Sequence, residues 1–229
     1  MRGIVGVLFS LVILGAGMPA HAVSVDDLRN PDVVTGLRQA LNQGADNAIR
    51  SLGKPGGFLD NPQLRIPLPD RLQQAGDMLR KVGLGRYPDE LETAMNRAAE
   101  AAVPEAKTLL VSAVKQMSIS DAKAILQGGD DAATRYFERV AGPALTAKFQ
   151  PVVHRSMEKV QVAAKVDAFA GKAAKLGLID PQNAKLDDYV THQALSGLFR
   201  TMAEQEKALR QDPVGATGQL ARKIFQALK

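Results

Sequence analysis

The residues best placed to do chemistry lie between Pro88 and Glu100, in the run Pro-Asp-Glu-Leu-Glu-Thr-Ala-Met-Asn-Arg-Ala-Ala-Glu. On a helix, Glu92, Asn96 and Glu100 recur every four residues and share one flank of an apolar stripe formed by Leu91, Met95, Ala98 and Ala102. Glu90 and Arg97 share the other flank, two turns apart. Two carboxylates with an amide between them suit general acid–base work if that face lines a cleft, because burial separates the pKa values of neighbouring carboxyls. A polar flank with ordinary helix pairs needs no cleft and is the competing reading.

A second unusual segment runs Phe58-Leu59-Asp60-Asn61-Pro62-Gln63-Leu64-Arg65-Ile66-Pro67-Leu68-Pro69. Each proline biases its predecessor towards extended backbone, so Ile66 to Pro69 is expected as an extended strap. Its backbone polar groups must find partners somewhere. Phe58, Leu64, Ile66 and Leu68 can pin it across a helical core, leaving Arg65 either to bind a carboxylate or ligand anion or to pair internally. The candidate ligand or interaction site is therefore Arg65, Glu92, Asn96, Arg97 and Glu100.

Other constellations are weaker. His154 and His192 stand far apart, with no His-x-x-x-His or Glu-x-x-His spacing to gather a metal. Asp130-Asp131 lacks the alternating oxygens and terminal Glu of a calcium loop and reads as a capping pair at a helix start. Thr134, Tyr136 and Tyr189 have no base at a useful spacing. Gly-x-Ser-x-Gly, phosphate-binding and dinucleotide glycine patterns are missing. No catalytic, cofactor-binding or metal residue is assigned. The absence of cysteine excludes disulfides, thiolate ligands and cysteine nucleophiles.

These residues must be positioned by helices. Apolar residues recur at three and four along the chain, which is helical spacing. Asn30-Pro31 opens one helix and Gly53 closes it; a second carries Leu72, Ala75, Leu79 and Val82 and stops at Gly83. Pro88 opens the acidic helix, and Pro104 forces a kink or a fresh helix reaching about Met117. Ser118 or Ser120 caps a short helix to Gln127. Asp130 opens another that Gly142-Pro143 should break, after which a long tract with Pro151 inside runs to about Lys175. Residues 177–184 read as a connection. Asp187 caps a helix to about Leu209, and Thr217 starts a terminal amphipathic helix (Leu220, Ile224, Leu228). Small residues such as Ala98, Ala102, Ala133 and Ala173 allow close helix approach. The expectation is all-α: a single-domain multi-helix bundle of roughly eight to ten helices with one extended proline-rich strap.

The N-terminus reads as an address. Arg2 precedes an uncharged apolar run, Ile4 to Leu14, then Pro19 and the small-x-small triplet Ala20-His21-Ala22. This is the pattern of a Sec-type signal peptide cut after Ala22, and the run is short for a spanning helix. The expected organisation is a cleaved signal peptide, 1–22, and one helical domain, 23–229, in the periplasm with no membrane span after cleavage. The net charge of +5 is spread along 229 residues that include no Trp and three Tyr, which does not suit nucleic-acid binding. The partner class left is an envelope protein or a small ligand.

The strap pattern Phe58-Leu59-x-Asn61-Pro62-x-x-Arg65-Ile66-Pro67-Leu68-Pro69 resembles an exported bacterial family known as a domain of unknown function, number four-one-nine-seven in that series. The likeness continues through Asp89 to Glu100, Asp121 to Leu126, Ala132 to Phe137 and Tyr189 to Phe199. It implies a helical envelope protein with no established activity and supplies no catalytic residues. Some relatives carry a lipoprotein signal, and this cysteine-free chain departs from them there. The leading functional expectation is a non-enzymatic binding or interaction protein of the cell envelope. Alternatives are a periplasmic hydrolase or lyase using Glu92 and Glu100 near Arg65, and a carrier with an apolar cavity lined by Met95, Phe137 and Phe199.

Overall fold

A computed structural model describes residues 31–176 and 186–211. The expected signal peptide, the 177–184 connection and the terminal helix from Thr217 lie outside the described residues. The described elements are α1 (Pro31–Leu52), α2 (Asp70–Lys81), α3 (Arg86–Ala102), a 3-10 turn (Val103–Glu105), α4 (Ala106–Gln116), α5 (Ile119–Gln127), α6 (Ala132–Lys159), α7 (Val162–Lys175) and α8 (Leu186–Gln211). Among the described residues there is no strand.

Local punctuation sets most boundaries. Gly83 adopts φ +78°, and the Gly83 and Leu84 amides bond back to the Arg80 and Leu79 carbonyls at 3.2 and 2.8 Å, closing α2 in a Schellman turn. Pro104 starts the 3-10 turn that separates α3 from α4. At α5, Ser118 and Asp121 form a reciprocal capping box, each side chain accepting from the other's amide at 3.0 and 3.1 Å.

Three expectations need correction. Gly142-Pro143 does not break the chain, because α6 continues through Pro143 and Pro151 to Lys159. Both prolines are exposed, while Ala141, Leu145, Phe149, Val153 and Met157 are buried at intervals of four. Arg139 and Ala147, whose carbonyls lose a helical partner at the two prolines, are exposed residues, and the apolar stripe holds the helix together. The break comes instead at Gln161, whose φ of 57° and ψ of 41° turn the chain into α7. Lastly, Asp131 does not cap α6 through its side chain. Asp131 pairs with Arg135, and Asp187 lies inside the first turn of α8.

α3 is the central element, packed against α2, α6, α7 and α8, while α1 lies against α4 and α8. Its Leu91, Met95, Ala98, Ala99 and Ala102 are fully buried. The alanines permit close approach, and Leu91 and Met95 each contribute about 2 kcal/mol through burial. One core cluster joins side chains from all eight helices with Phe58, Leu64, Ile66 and Leu68 of the strap.

Candidate functional site

The strap lies on the acidic flank of α3, and the sequence-selected residues meet there. Residues 55–60 make tight turns and 65–69 belong to no helix or strand, with Pro69 in extended backbone at φ −54°, ψ 147°. Three prolines (62, 67 and 69) carry no N–H, which shortens the list of donors to satisfy. Gly57, Asp60, Asn61, Gln63, Leu64 and Arg65 donate within the segment, and the amides of Gly56, Phe58, Leu59 and Ile66 find α3. Glu100 Oε1 accepts from the backbone N–H groups of Gly56, Phe58 and Leu59, each at 3.1 Å, and Oε2 accepts from Arg97 Nη1 at 2.7 Å. One turn earlier, Asn96 pairs with Ile66 as a neighbouring strand would. Its Oδ1 accepts the Ile66 N–H at 2.8 Å, and its Nδ2 donates to the Ile66 carbonyl at 2.9 Å and to the Glu92 carbonyl at 2.8 Å. Glu92 closes the row, taking Arg65 Nε at 2.6 Å on one oxygen and Arg80 Nη2 at 3.3 Å on the other.

The i, i+4, i+8 spacing places these three side chains in line, parallel to the strap they hold. Glu92, Asn96 and Glu100 are 7, 0 and 4 % exposed. Without those partners each would be a buried polar group carrying a desolvation cost of about 1–3 kcal/mol. Arg65 stays 45 % exposed at its side chain.

The opposite side of the strap is seated on α8. A Cβ on Gly197 would stand 2.6 Å from Phe58 Cε1, so only glycine leaves room for the ring, which is fully buried. Tyr189 donates its hydroxyl to the Pro67 carbonyl at 3.1 Å, and Arg200 Nη1 donates to the Gln63 carbonyl at 3.2 Å. Burial pushes the Tyr189 phenol above its ordinary value.

Chemically, this arrangement is a clamp. A general base needs a lone pair facing substrate, whereas both oxygens of Glu92 and of Glu100 face fixed donors. Arg97 rims a groove of about 490 Å³ between α3 and α7 with Glu90 and Lys165. There Lys165 Nζ bonds Glu90 Oε2 at 2.7 Å and holds that carboxyl below its ordinary value. The hydroxyls singled out in the sequence are also engaged. Tyr136 donates to the Ala113 carbonyl at 2.7 Å, and Thr134 Oγ1 donates to Glu206 at 3.0 Å. Met95, Phe137 and Phe199 are 0, 1 and 9 % exposed within the core, and the cavity that Phe137 borders holds about 30 Å³, room for about one water.

Two features escaped the sequence reading. Glu206 of α8 caps α6 from a distance, accepting from the Ala133 and Thr134 amides at 2.9 Å each, while Arg210 braces it at 2.8 Å. Arg210 also donates to the Ile125 carbonyl at 2.8 Å. His154 meets Asp187 at 2.6 Å and Glu158 at 3.4 Å beside a cavity of about 570 Å³ between α6, α7 and α8. The hydrogen bond to Asp187 raises the His154 pKa. No hydroxyl or thiol lines that cavity among the described residues. An i, i+4 acid–base pair (His154, Glu158) was readable; contacts across more than thirty residues were not. No group of three or more His, Cys, Asp or Glu side chains suited to a metal occurs among the described residues.

An all-helical protein with a strap clamped by one acidic helix face is the class that fold and site define. The chain matches DUF4197, described as a protein of unknown function, over residues 27–226, and it belongs to that family. No curated protein and no solved structure matches the chain.

Proposed function

We propose that this is a non-enzymatic binding or interaction protein of the bacterial cell envelope, exported to the periplasm by a signal peptide removed after Ala22 and working as one domain, 23–229. The observation that carries the non-enzymatic part is the commitment of Glu92 and Glu100, the acids best spaced for chemistry, to the strap and its arginines. The address rests on the N-terminal pattern of Arg2, an apolar run and Ala20-His21-Ala22. Among the described residues no helix is long and apolar enough to cross a membrane, which fits a partner met at a surface. Native mass spectrometry of the protein released gently from the periplasm tests the reading. A chain starting at Val23 that carries a ligand adduct or a co-purified envelope protein is the expected result. A chain retaining Met1 in the cytoplasmic fraction overturns the address. Turnover of an envelope substrate that a Glu92→Gln protein loses while remaining folded overturns the non-enzymatic assignment.

A further inference from the structure

Three of the five large apolar side chains that the described residues leave exposed stand at the C-terminal ends of α2 and α7, helices that pack on α3 and on each other: Met78 (47 %), Val82 (60 %) and Leu176 (48 %). Met78 and Val82 are one turn apart at the end of α2, and Leu176 follows the last turn of α7. Tyr87, on the first turn of α3, joins the two tips. The Arg86 guanidinium stands 5.1 Å from its ring centroid and Lys172 Nζ 5.4 Å. A hydrogen bond from Arg86, with Lys172 close by, holds the Tyr87 phenol below its ordinary value.

The charges at this corner are one-sided. Residues 81–87 carry Lys81 and Arg86, residues 168–176 carry Lys172 and Lys175, and neither stretch contains a carboxylate. Four acids of α2 and α3 beside it are already engaged. Asp77, Asp89 and Glu92 are met by Arg80, and Glu90 is met by Lys165 at 2.7 Å. Arg86 reaches Glu90 only at 3.8 Å. Two adjoining helix ends and the start of α3 therefore carry four cations and three exposed apolar side chains.

We propose that this corner docks on the surface of an anionic phospholipid membrane, with Met78, Val82 and Leu176 entering the headgroup boundary and Lys81, Arg86, Lys172 and Lys175 facing the phosphates. Basic residues around a small apolar tip suit a membrane interface, where apolar burial and attraction to anionic lipid add. Among the described residues no helix is long and apolar enough to cross such a membrane. The inference deepens the envelope reading and depends on it for where such a membrane is met. The binding itself can be tested without any assumption about localisation.

The test is co-sedimentation of the full chain with vesicles of phosphatidylethanolamine and phosphatidylglycerol, compared with phosphatidylcholine alone. The N-terminal apolar run is common to every variant. The expected result is salt-sensitive binding to the anionic vesicles, with weak binding to phosphatidylcholine. Lys172→Glu/Lys175→Glu should weaken it about tenfold or more, and Val82→Ser/Leu176→Ser should weaken it at unchanged charge. Lys115→Glu/Lys123→Glu, with the same charge change on α4 and α5, should bind nearly as wild type. Five of the six positions are exposed and Lys172 is half-buried, and circular dichroism confirms folding. Equal binding to both vesicle types, corner variants that bind as wild type, or a control that loses as much as the corner variant each overturns the proposal. So does a wild-type chain that leaves anionic vesicles alone and captures only an acidic protein.

Discussion

The strap on α3 and the meeting of α6 with α8 at His154 both join ionisable side chains to distant parts of the chain, and both use a carboxylate. At the strap, Glu92 and Glu100 are buried and their partners include three backbone amides that have no other acceptor. At His154, both partners are side chains, 57 and 38 % exposed, that water can serve equally well. The same residue types therefore carry different weight. Burial makes the strap contacts costly to break, and exposure leaves the histidine pair as a modest, pH-dependent addition.

Removing Glu100 should break the contrast most sharply. Glu100→Ala strands three amides and the Arg97 guanidinium, a loss of about 4 kcal/mol, read as a fall in Tm of about 10 °C or more. Glu100→Gln keeps one acceptor for the amides and should lose clearly less. A Glu100→Ala protein that melts within a degree or two of wild type would show that the strap is held by Phe58 and its apolar neighbours alone.

Gly197→Ala sharpens the comparison from the other side of the strap. The added methyl collides with the Phe58 ring, for an expected cost of about 2 kcal/mol. Phe58→Leu creates space at the same point, so the double variant should be more stable than the sum of the two single losses. Strict additivity in denaturant titrations would remove the notch as the explanation.

The smallest effect belongs to His154. Its pKa lies above the ordinary 6.5 because of the Asp187 hydrogen bond and charge. The folded state therefore holds the proton more tightly than the unfolded state. That contribution is complete below about pH 6.5 and fades as pH rises through the raised folded value. The stability difference between wild type and His154→Gln should be largest in acid and shrink in alkali. A difference independent of pH from 5 to 9 would assign His154 a packing role instead.

Sequence legibility followed the range of the interactions. Helix ends marked by Gly53, Gly83, Pro104 and Ser118 were readable because glycine, proline and a capping box act within a few residues. The alignment of Glu92, Asn96 and Glu100 was readable from periodicity, and so was the demand that the strap satisfy its backbone. That the first would answer the second was not, since it joins segments about thirty to forty-four residues apart. Pro143 misled because its local cost is real, yet it faces solvent on a helix whose opposite side is buried. The break at Gln161 had no warning in glycine or proline. A non-glycine residue in left-handed geometry costs about 1 kcal/mol, and the packing of α6 and α7 sets it there. Asp131 offered the ordinary cap for α6, but Glu206 performs that role from α8.

The strap also bears on the order in which the molecule can be completed. Its turns appear early in the chain, but their acceptor, Glu100, comes later, and the seat for Phe58 later still. Arg200 reaches the Gln63 carbonyl across 137 residues. Closing so long a loop is slow compared with forming local helices. A chain growing from its N-terminus can meet the α3 carboxylates with the strap once Glu100 is made, but Phe58 lacks its seat until α8 arrives. An early stop before Gly197 leaves a helical protein whose strap is held on the α3 side alone, with the Phe58 ring short of its cover.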